Sequence, residues 1–261
     1  DYPGWRVFGN PMATWRRIAV AVGLPAETHP RDLFEHIAAR IENPIKPEIV
    51  ERAPCQENVI EGEDVDLSLL PAPYIHGGDG GRYIGTWHCT ITKDPGTGWV
   101  NYGMYRHMLW SEKYMSVLLI AGQDIGIIFA REYYPKRKPM PVAVAIGAAP
   151  LCDMFAAMSV GVRVPEVELA GAVLEEPVKL VKCRTVDLEV PADAEVVIEG
   201  ELVPDFFAME GPFGEYHGFR LSEMSPRPVI RVKAITWRND PIFCVSNMGM
   251  PLIETTVWCM G

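Results

Sequence analysis

Residues 86–105 read Thr-Trp-His-Cys-Thr-Ile-Thr-Lys-Asp-Pro-Gly-Thr-Gly-Trp-Val-Asn-Tyr-Gly-Met-Tyr. The run at 86–92 is strand-like, Asp94-Pro95-Gly96-Thr97-Gly98 is a strong turn, and 99–105 returns as the second arm of a hairpin. The same texture holds from about residue 53 onward, with further strands expected at 178–183, 196–203, 229–237 and 242–245. Between the hairpin and these later strands lies a stretch of α/β character. It carries a buried strand at 115–121, a helix bearing Ile125, Ile128, Phe129 and Glu132, a strand at 142–146 and a helix at 151–158. The fold class is therefore α+β, a β-barrel or sandwich over residues 53–247 with an αβ insertion at about 113–165.

Upstream, residues 1–50 are helical in pattern. Asn10-Pro11 reads as a cap followed by proline at the first helical position, Met12, Trp15, Ile18 and Val22 form the stripe, and Gly23 ends it. Pro30 opens a second helix with Leu33, Phe34, Ile37 and Ile41 on one side. Two helices cannot close a core alone, so residues 1–52 are assigned to the remainder of an α/β domain that lies upstream. The chain starts at Asp1 and stops at Trp258-Cys259-Met260-Gly261, just after an apolar run, and is expected to be a piece of a longer protein, with 248–261 as the start of a linker.

At 261 residues the chain can bury a sizeable core, roughly 70 to 75% of the surface its unfolded form exposes. Thirty-four acidic against 24 basic side chains give a net charge of -10, and no basic block appears, which disfavours a nucleic-acid surface. The longest apolar stretch, 140–152, is interrupted by Pro141 and Pro150 and is too short to span a bilayer. Six cysteines, Cys55, Cys89, Cys152, Cys183, Cys244 and Cys259, show no metal-finger spacing and read as buried thiols in a reducing, cytoplasmic compartment.

Five segments could carry chemistry, and each has a plain alternative. The loop Gly77-Gly78-Asp79-Gly80-Gly81 reads as turn geometry ahead of a phosphate cradle. Asn101 and Arg106 would face opposite sides of a regular strand, so one site uses both only if the strand bulges or ends near Gly103. Gln123-Asp124, between an apolar strand and a helix, suits a helix cap or a cation bridging to phosphate. Glu166 and Glu168 alternate along a strand-like segment and read as solvated charges. In Glu210-Gly211-Pro212-Phe213-Gly214-Glu215-Tyr216-His217-Gly218 a glycine and proline turn brings two carboxylates together, an arrangement that suits general acid–base work or leaves two solvated glutamates.

Taken together and in order, these segments resemble the UbiD family of decarboxylases, which use prenylated FMN. The matching pieces are Lys93-Asp94-Pro95-x-Thr97-Gly98, Asn101-x-x-x-x-Arg106, Gln123, Glu166 ahead of Ala170-Gly171-Ala172, Val181-Lys182-Cys183, and the Glu210 to Gly218 motif. The resemblance implies a split β-barrel, flavin-reductase-like, with the C-terminal dimerisation region absent and a homodimer or higher homo-oligomer formed through it. It implies reversible non-oxidative decarboxylation of an aromatic, heteroaromatic or α,β-unsaturated acid, with Arg106 orienting the carboxylate, Glu210 its partner and Glu215 the proton donor.

Cofactor contacts carried over from the resemblance fall on Asn101, Gly103, Met104, Tyr105, Arg106, Gln123, Asp124, Met158 and Glu166. A divalent metal, manganese or else magnesium, is implied at Asn101, Asp124 and Glu166, and potassium beside it among the Trp99 carbonyl and those of 155–158. The family usually has histidine where this chain has Asp124; a carboxylate keeps hard divalent ions and lowers the preference for softer ones. Ala156-Ala157 stands where relatives often place serines against the phosphate. A flavin prenyltransferase is implied as cofactor supplier. The competing readings are a split-barrel oxidoreductase on unmodified FMN, which has no need of the Arg106, Glu210 and Glu215 set, and a non-catalytic subunit of the same fold.

Overall fold

The computed structural model describes residues 2–220 and 222–249. Most of the 248–261 segment expected to be a linker, Cys259 included, lies outside them. The first strand, β1 (Arg6–Gly9), ends at Asn10, whose φ is +54° and whose side-chain oxygen accepts from Asn247 N. Helix α1 (Trp15–Ala21) therefore starts later than Asn10-Pro11 suggests: Thr14 is its cap, accepting from Arg17 N at 3.3 Å. The expected stripe survives the shift, with Met12, Ile18 and Val22 buried. Pro30 does open α2 (Pro30–Arg40), which buries Leu33 and Ile37.

After β2 (Glu48–Val50) and β3 (Asn58–Glu61) come β4 (Tyr83–Gly85) and the hairpin of β5 (His88–Lys93) and β6 (Val100–Gly103). The turn forms as its chemistry requires. Asp94 accepts from Gly96 N at 2.8 Å and from the Thr97 hydroxyl at 2.9 Å, and Gly98 supplies a φ of +76°. The pairing runs from Lys93 opposite Val100 to Thr90 opposite Gly103.

The chain continues through β7 (His107–Ser111), β8 (Tyr114–Val117), α3 (Asp124–Ile128), β9 (Met140–Ile146), α4 (Pro150–Ala156) and α5 (Glu166–Leu174). β8 and β9, the two strands expected within the αβ insertion, are both strands of the large sheet. Glu166 and Glu168 open a helix, not a strand: Pro165 precedes it and both carboxylates lie in its first turn, where the helix dipole favours them. The rest is β10 (Lys179–Lys182), β11 (Glu189–Pro191), β12 (Val196–Glu210), β13 (Ser225–Trp237) and β14 (Ile242–Val245).

The large sheet has the order β4-β7-β8-β13-β12-β9-β5-β6, with β3 pairing farther along β13. No pairing joins β4 to β6 among the described residues, so the sheet stays open. A smaller sheet has the order β11-β10-β2, and β1 pairs in parallel with β14. Strand β9 shows how the core is divided. Val142, Val144 and Ile146 belong to the same core as Ile198, Ile230 and Ile235 on one face, while Ala143 and Ala145 belong to the core that also holds Phe155, Leu169, Leu33 and Ile18 of the helices on the other. Small residues on the helix side allow α4 and α5 to lie close against the sheet. Among the described residues no helix is long and apolar enough to cross a membrane, and Cys55, Cys89, Cys152 and Cys183 are free thiols.

Candidate active site

β6 ends at Gly103, and this ending separates two clusters that the sequence placed five residues apart. On one side stand Asn101, Tyr105, Asp124 and Glu166. Asn101 (1% exposed) donates its amide to Glu166 Oε1 at 3.2 Å, and Tyr102 N donates to Glu166 Oε2 at 3.0 Å. The Tyr105 ring folds back over Gly103, where any Cβ would overlap the phenol, and its hydroxyl donates to Asn101 Oδ1 at 3.2 Å. Gln123 occupies the cap position of α3 without a capping bond from its side chain, and Asp124 is the first helical residue.

Among the described residues, no cationic side chain offsets the charge of these carboxylates. Burial pushes the Glu166 carboxyl up to about 7; the bond from Tyr102 N opposes the shift and the charge of Asp124 adds to it. Burial also raises Asp124. Glu166 is 3% exposed, so the cost of ionising it falls on the fold. Between pH 4.5 and about 7 the native state keeps a proton that the unfolded chain has lost, and stability falls as pH rises through that window. In chelator-treated buffer, the difference in unfolding free energy between wild type and Glu166→Gln is expected to shift by roughly 3 kcal/mol across it, with wild type the loser on the alkaline side. A pH series of urea titrations checks this, and a flat difference would show that Glu166 ionises freely.

The donor set fits a hard divalent ion: two carboxylates and an amide oxygen, none of them soft. Among the described residues no group of three histidine, cysteine or carboxylate side chains gathers, so oxygens from elsewhere must complete any coordination. The Trp99 carbonyl accepts from Asp94 N at 2.8 Å in the hairpin turn, and the Phe155 carbonyl from Met158 N at 3.1 Å. Trp99 Nε1 is buried with no hydrogen-bond partner among the described residues. Met104 and Met158 pack, half-buried, against the helix-side core.

On the other side of Gly103, Arg106 points at the Glu210 to Gly218 turn. Its Nε and Nη2 donate to the two oxygens of Glu210, each at 2.9 Å, and Nη1 donates to Glu215. Glu210 is 1% exposed and also accepts from the Tyr83 hydroxyl at 2.6 Å, with Arg227 a further 3.8 Å ion contact. The Glu215 side chain is 24% exposed. Gly211, at a φ of +83°, allows the reversal that brings both carboxylates to one guanidinium. Phe213 lies under it, its ring 5.2 Å from the Arg106 guanidinium carbon and 4.2 Å from the Tyr83 ring. Burial alone would lower the Arg106 pKa, but the bonds and charge of Glu210 and the charge of Glu215 outweigh it and hold the guanidinium above its ordinary value.

Behind this cluster His88 and His107 share the Thr90 hydroxyl, at 3.1 and 2.9 Å, and His88 Nε2 lies 3.0 Å from the Tyr105 carbonyl. Burial lowers His88 to about 4, so its ring is neutral at pH 7 and its Nε2 proton anchors the backbone just before Arg106. Sequence reading missed Tyr83, Thr90 and both histidines. Tyr83 acts through Glu210, 127 residues away, and the two histidines meet at Thr90 only once β5 and β7 are folded together. Among the described residues His217 hydrogen-bonds within its own turn, accepting from Phe219 N at 3.3 Å.

A family model described as 3-octaprenyl-4-hydroxybenzoate carboxy-lyase Rift-related domain matches residues 48–251. The chain belongs to the UbiD family. It is 39% identical to pyrrole-2-carboxylic acid decarboxylase of Pseudomonas aeruginosa, over 98% of this chain and 53% of that protein. In structure it resembles the closed form of vanillic acid decarboxylase from Sedimentibacter hydroxybenzoicus, with a TM-score of 0.91, 33% identity, and 97% of this chain against 54% of that one. It also resembles an evolved dimeric form of the UbiD-class enzyme HmfF from Pelotomaculum thermopropionicum in complex with prFMN, with a TM-score of 0.87, 33% identity, and 97% of this chain against 57% of that one. The chain thus spans about half the length of the relatives it matches. The UbiD fold is α+β and flavin-reductase-like, and the chain shares it; its nine-stranded sheet is open among the described residues.

Proposed function

We propose that this chain is the cofactor-bearing part of a non-oxidative decarboxylase acting on an aromatic, heteroaromatic or α,β-unsaturated carboxylic acid. The observation that carries the reading is the guanidinium of Arg106 shared by two carboxylates of unequal burial. Hydride transfer has no use for such a set. Prenylated FMN, when bound, supplies the electron sink that loss of carbon dioxide requires.

The protein supplies position and protons. Glu210 holds Arg106 through two parallel bonds and is itself pinned by Tyr83, which fixes the fork in place. Nη1 is the part a substrate carboxylate can take, since the bond it makes is to the more exposed Glu215. A substrate carboxylate there displaces Glu215 toward the reacting carbon. Released from Arg106, Glu215 takes up a proton from water and donates it to that carbon once carbon dioxide has left. The reverse sequence carboxylates, so the reaction is reversible.

Asn101, Asp124 and Glu166 would hold manganese or magnesium, which supplies the positive charge that this acidic pocket lacks and that a cofactor phosphate needs; potassium would lie beside it, toward Trp99. The setting is taken to be cytoplasmic and reducing, supported by the free thiols of Cys55, Cys89, Cys152 and Cys183. A flavin prenyltransferase would supply the cofactor, and a homo-oligomer would form through regions beyond this domain. The domain boundaries near residues 52 and 247 belong to the same reading.

The test is native mass spectrometry of the full-length protein co-expressed with a flavin prenyltransferase, followed by a carbon dioxide release assay over a panel of such acids. Prenylated FMN with a divalent ion, and release from at least one acid, is the expected result. Plain FMN without release would replace this reading with a flavin oxidoreductase, and a protein without flavin would replace it with a non-catalytic subunit.

A further inference from the structure

The glycine loop at 77–81 packs against the 211–214 turn of the same chain. Asp79, whose side chain is wholly buried, accepts from His76 N through Oδ2 at 2.8 Å and from Gly214 N through Oδ1 at 2.9 Å. One residue on, Gly80 N donates to the Pro212 carbonyl at 2.7 Å. These two bonds bracket Phe213, and the carboxylate oxygen stands where a neighbouring strand would present its carbonyl. The glycines permit the approach. A Cβ at Gly80 would overlap the Gly211 carbonyl oxygen, and one at Gly78 the Arg220 guanidinium. His76 adds a second brace, since its ring lies against Gly214 and its Nε2 hydrogen-bonds the Met248 carbonyl.

Gly214 is joined directly to Glu215, so the Asp79 bond acts on the backbone that carries the proton donor. We propose that Asp79 is a positioning residue: its carboxylate, with the Gly80 amide, fixes the 212–214 turn so that Glu215 meets Arg106 and the reacting carbon. This rests on the role given to Glu215 above. Its reach is through geometry alone, and a displacement of about 1 Å at a reacting group can cost about 100-fold in rate.

The test uses the full-length holoenzyme and reads kcat, KM, bound cofactor and the solvent deuterium effect on kcat. Asp79→Ala is expected to lower kcat by about 10- to 100-fold, with KM and cofactor content near wild type. Its solvent deuterium effect should rise, because proton delivery becomes the slow step. Asp79→Asn should recover most of the rate, since its amide oxygen can still accept from Gly214 N. Gly80→Ala, which keeps the carboxylate and moves the loop, should repeat the loss and decides the matter if Asp79→Ala does not fold. Unchanged kcat in the folded variants, or a loss that follows cofactor content with Asn no better than Ala, overturns the proposal. If Glu215→Gln also retains turnover, the reading of Glu215 has failed and this one with it; if Glu215→Gln is inactive while both loop variants are active, only the positioning role has failed.

Discussion

Glu215→Gln in the holoenzyme is expected to cut turnover by about 100- to 10,000-fold while leaving the cofactor bound. The amide keeps the size of the side chain and can still accept from Arg106 Nη1 through its oxygen. It cannot carry the proton. Because Glu215 is the more exposed of the two carboxylates and makes none of the bonds in the Asn101 and Glu166 cluster, cofactor content should not change. Steady-state carbon dioxide release beside flavin absorbance separates these effects. Full turnover with Gln would remove Glu215 from the mechanism.

Arg106→Leu should cost about 3 to 5 kcal/mol of stability as well as activity. Glu210, 1% exposed, would keep the Tyr83 hydroxyl but lose both charge-assisted bonds, and Arg227 at 3.8 Å is too far to replace them. The cost comes from the uncompensated carboxylate, so the double variant Arg106→Leu/Glu210→Gln should regain much of the stability and none of the turnover. Denaturant titration of the three proteins checks the cycle. A loss below about 1 kcal/mol in the single variant would mean that water reaches Glu210 and the pair behaves as a surface salt bridge.

What the sequence made legible follows the range of the interactions. The 94–98 turn and the start of α2 rest on contacts within a few residues, and both are where local chemistry places them. β12 and β13 are longer than the apolar runs that suggested them. Their pairing passes register shifts at Glu199/Gly200 and Val203/Phe207 and tolerates Pro204, Pro226 and Pro228, features that break a strand pattern read locally. Glu166 and Glu168 satisfied a period of two by coincidence, with only two charges to count, while the run from Leu169 to Leu174 packs as a helix. In the candidate site, Arg106, Glu210 and Glu215 were legible because a motif carries them. Tyr83 and Asp79 were not, since their partners lie 127 and 135 residues away.

The parallel pairing of β1 with β14 sets Arg6 beside Ile242 and Gly9 beside Val245. A ribosome adding about 5 to 20 residues per second delivers the second strand roughly 10 to 50 s after the first. For that interval β1 lacks the edge of β14, which it joins among the described residues. Closing so large a loop is also entropically slow, so this two-stranded sheet should be among the last parts of the domain to form. A chaperone that engages the nascent chain would therefore find β1, with the apolar Val7 and Phe8, available for most of the time the domain is being made.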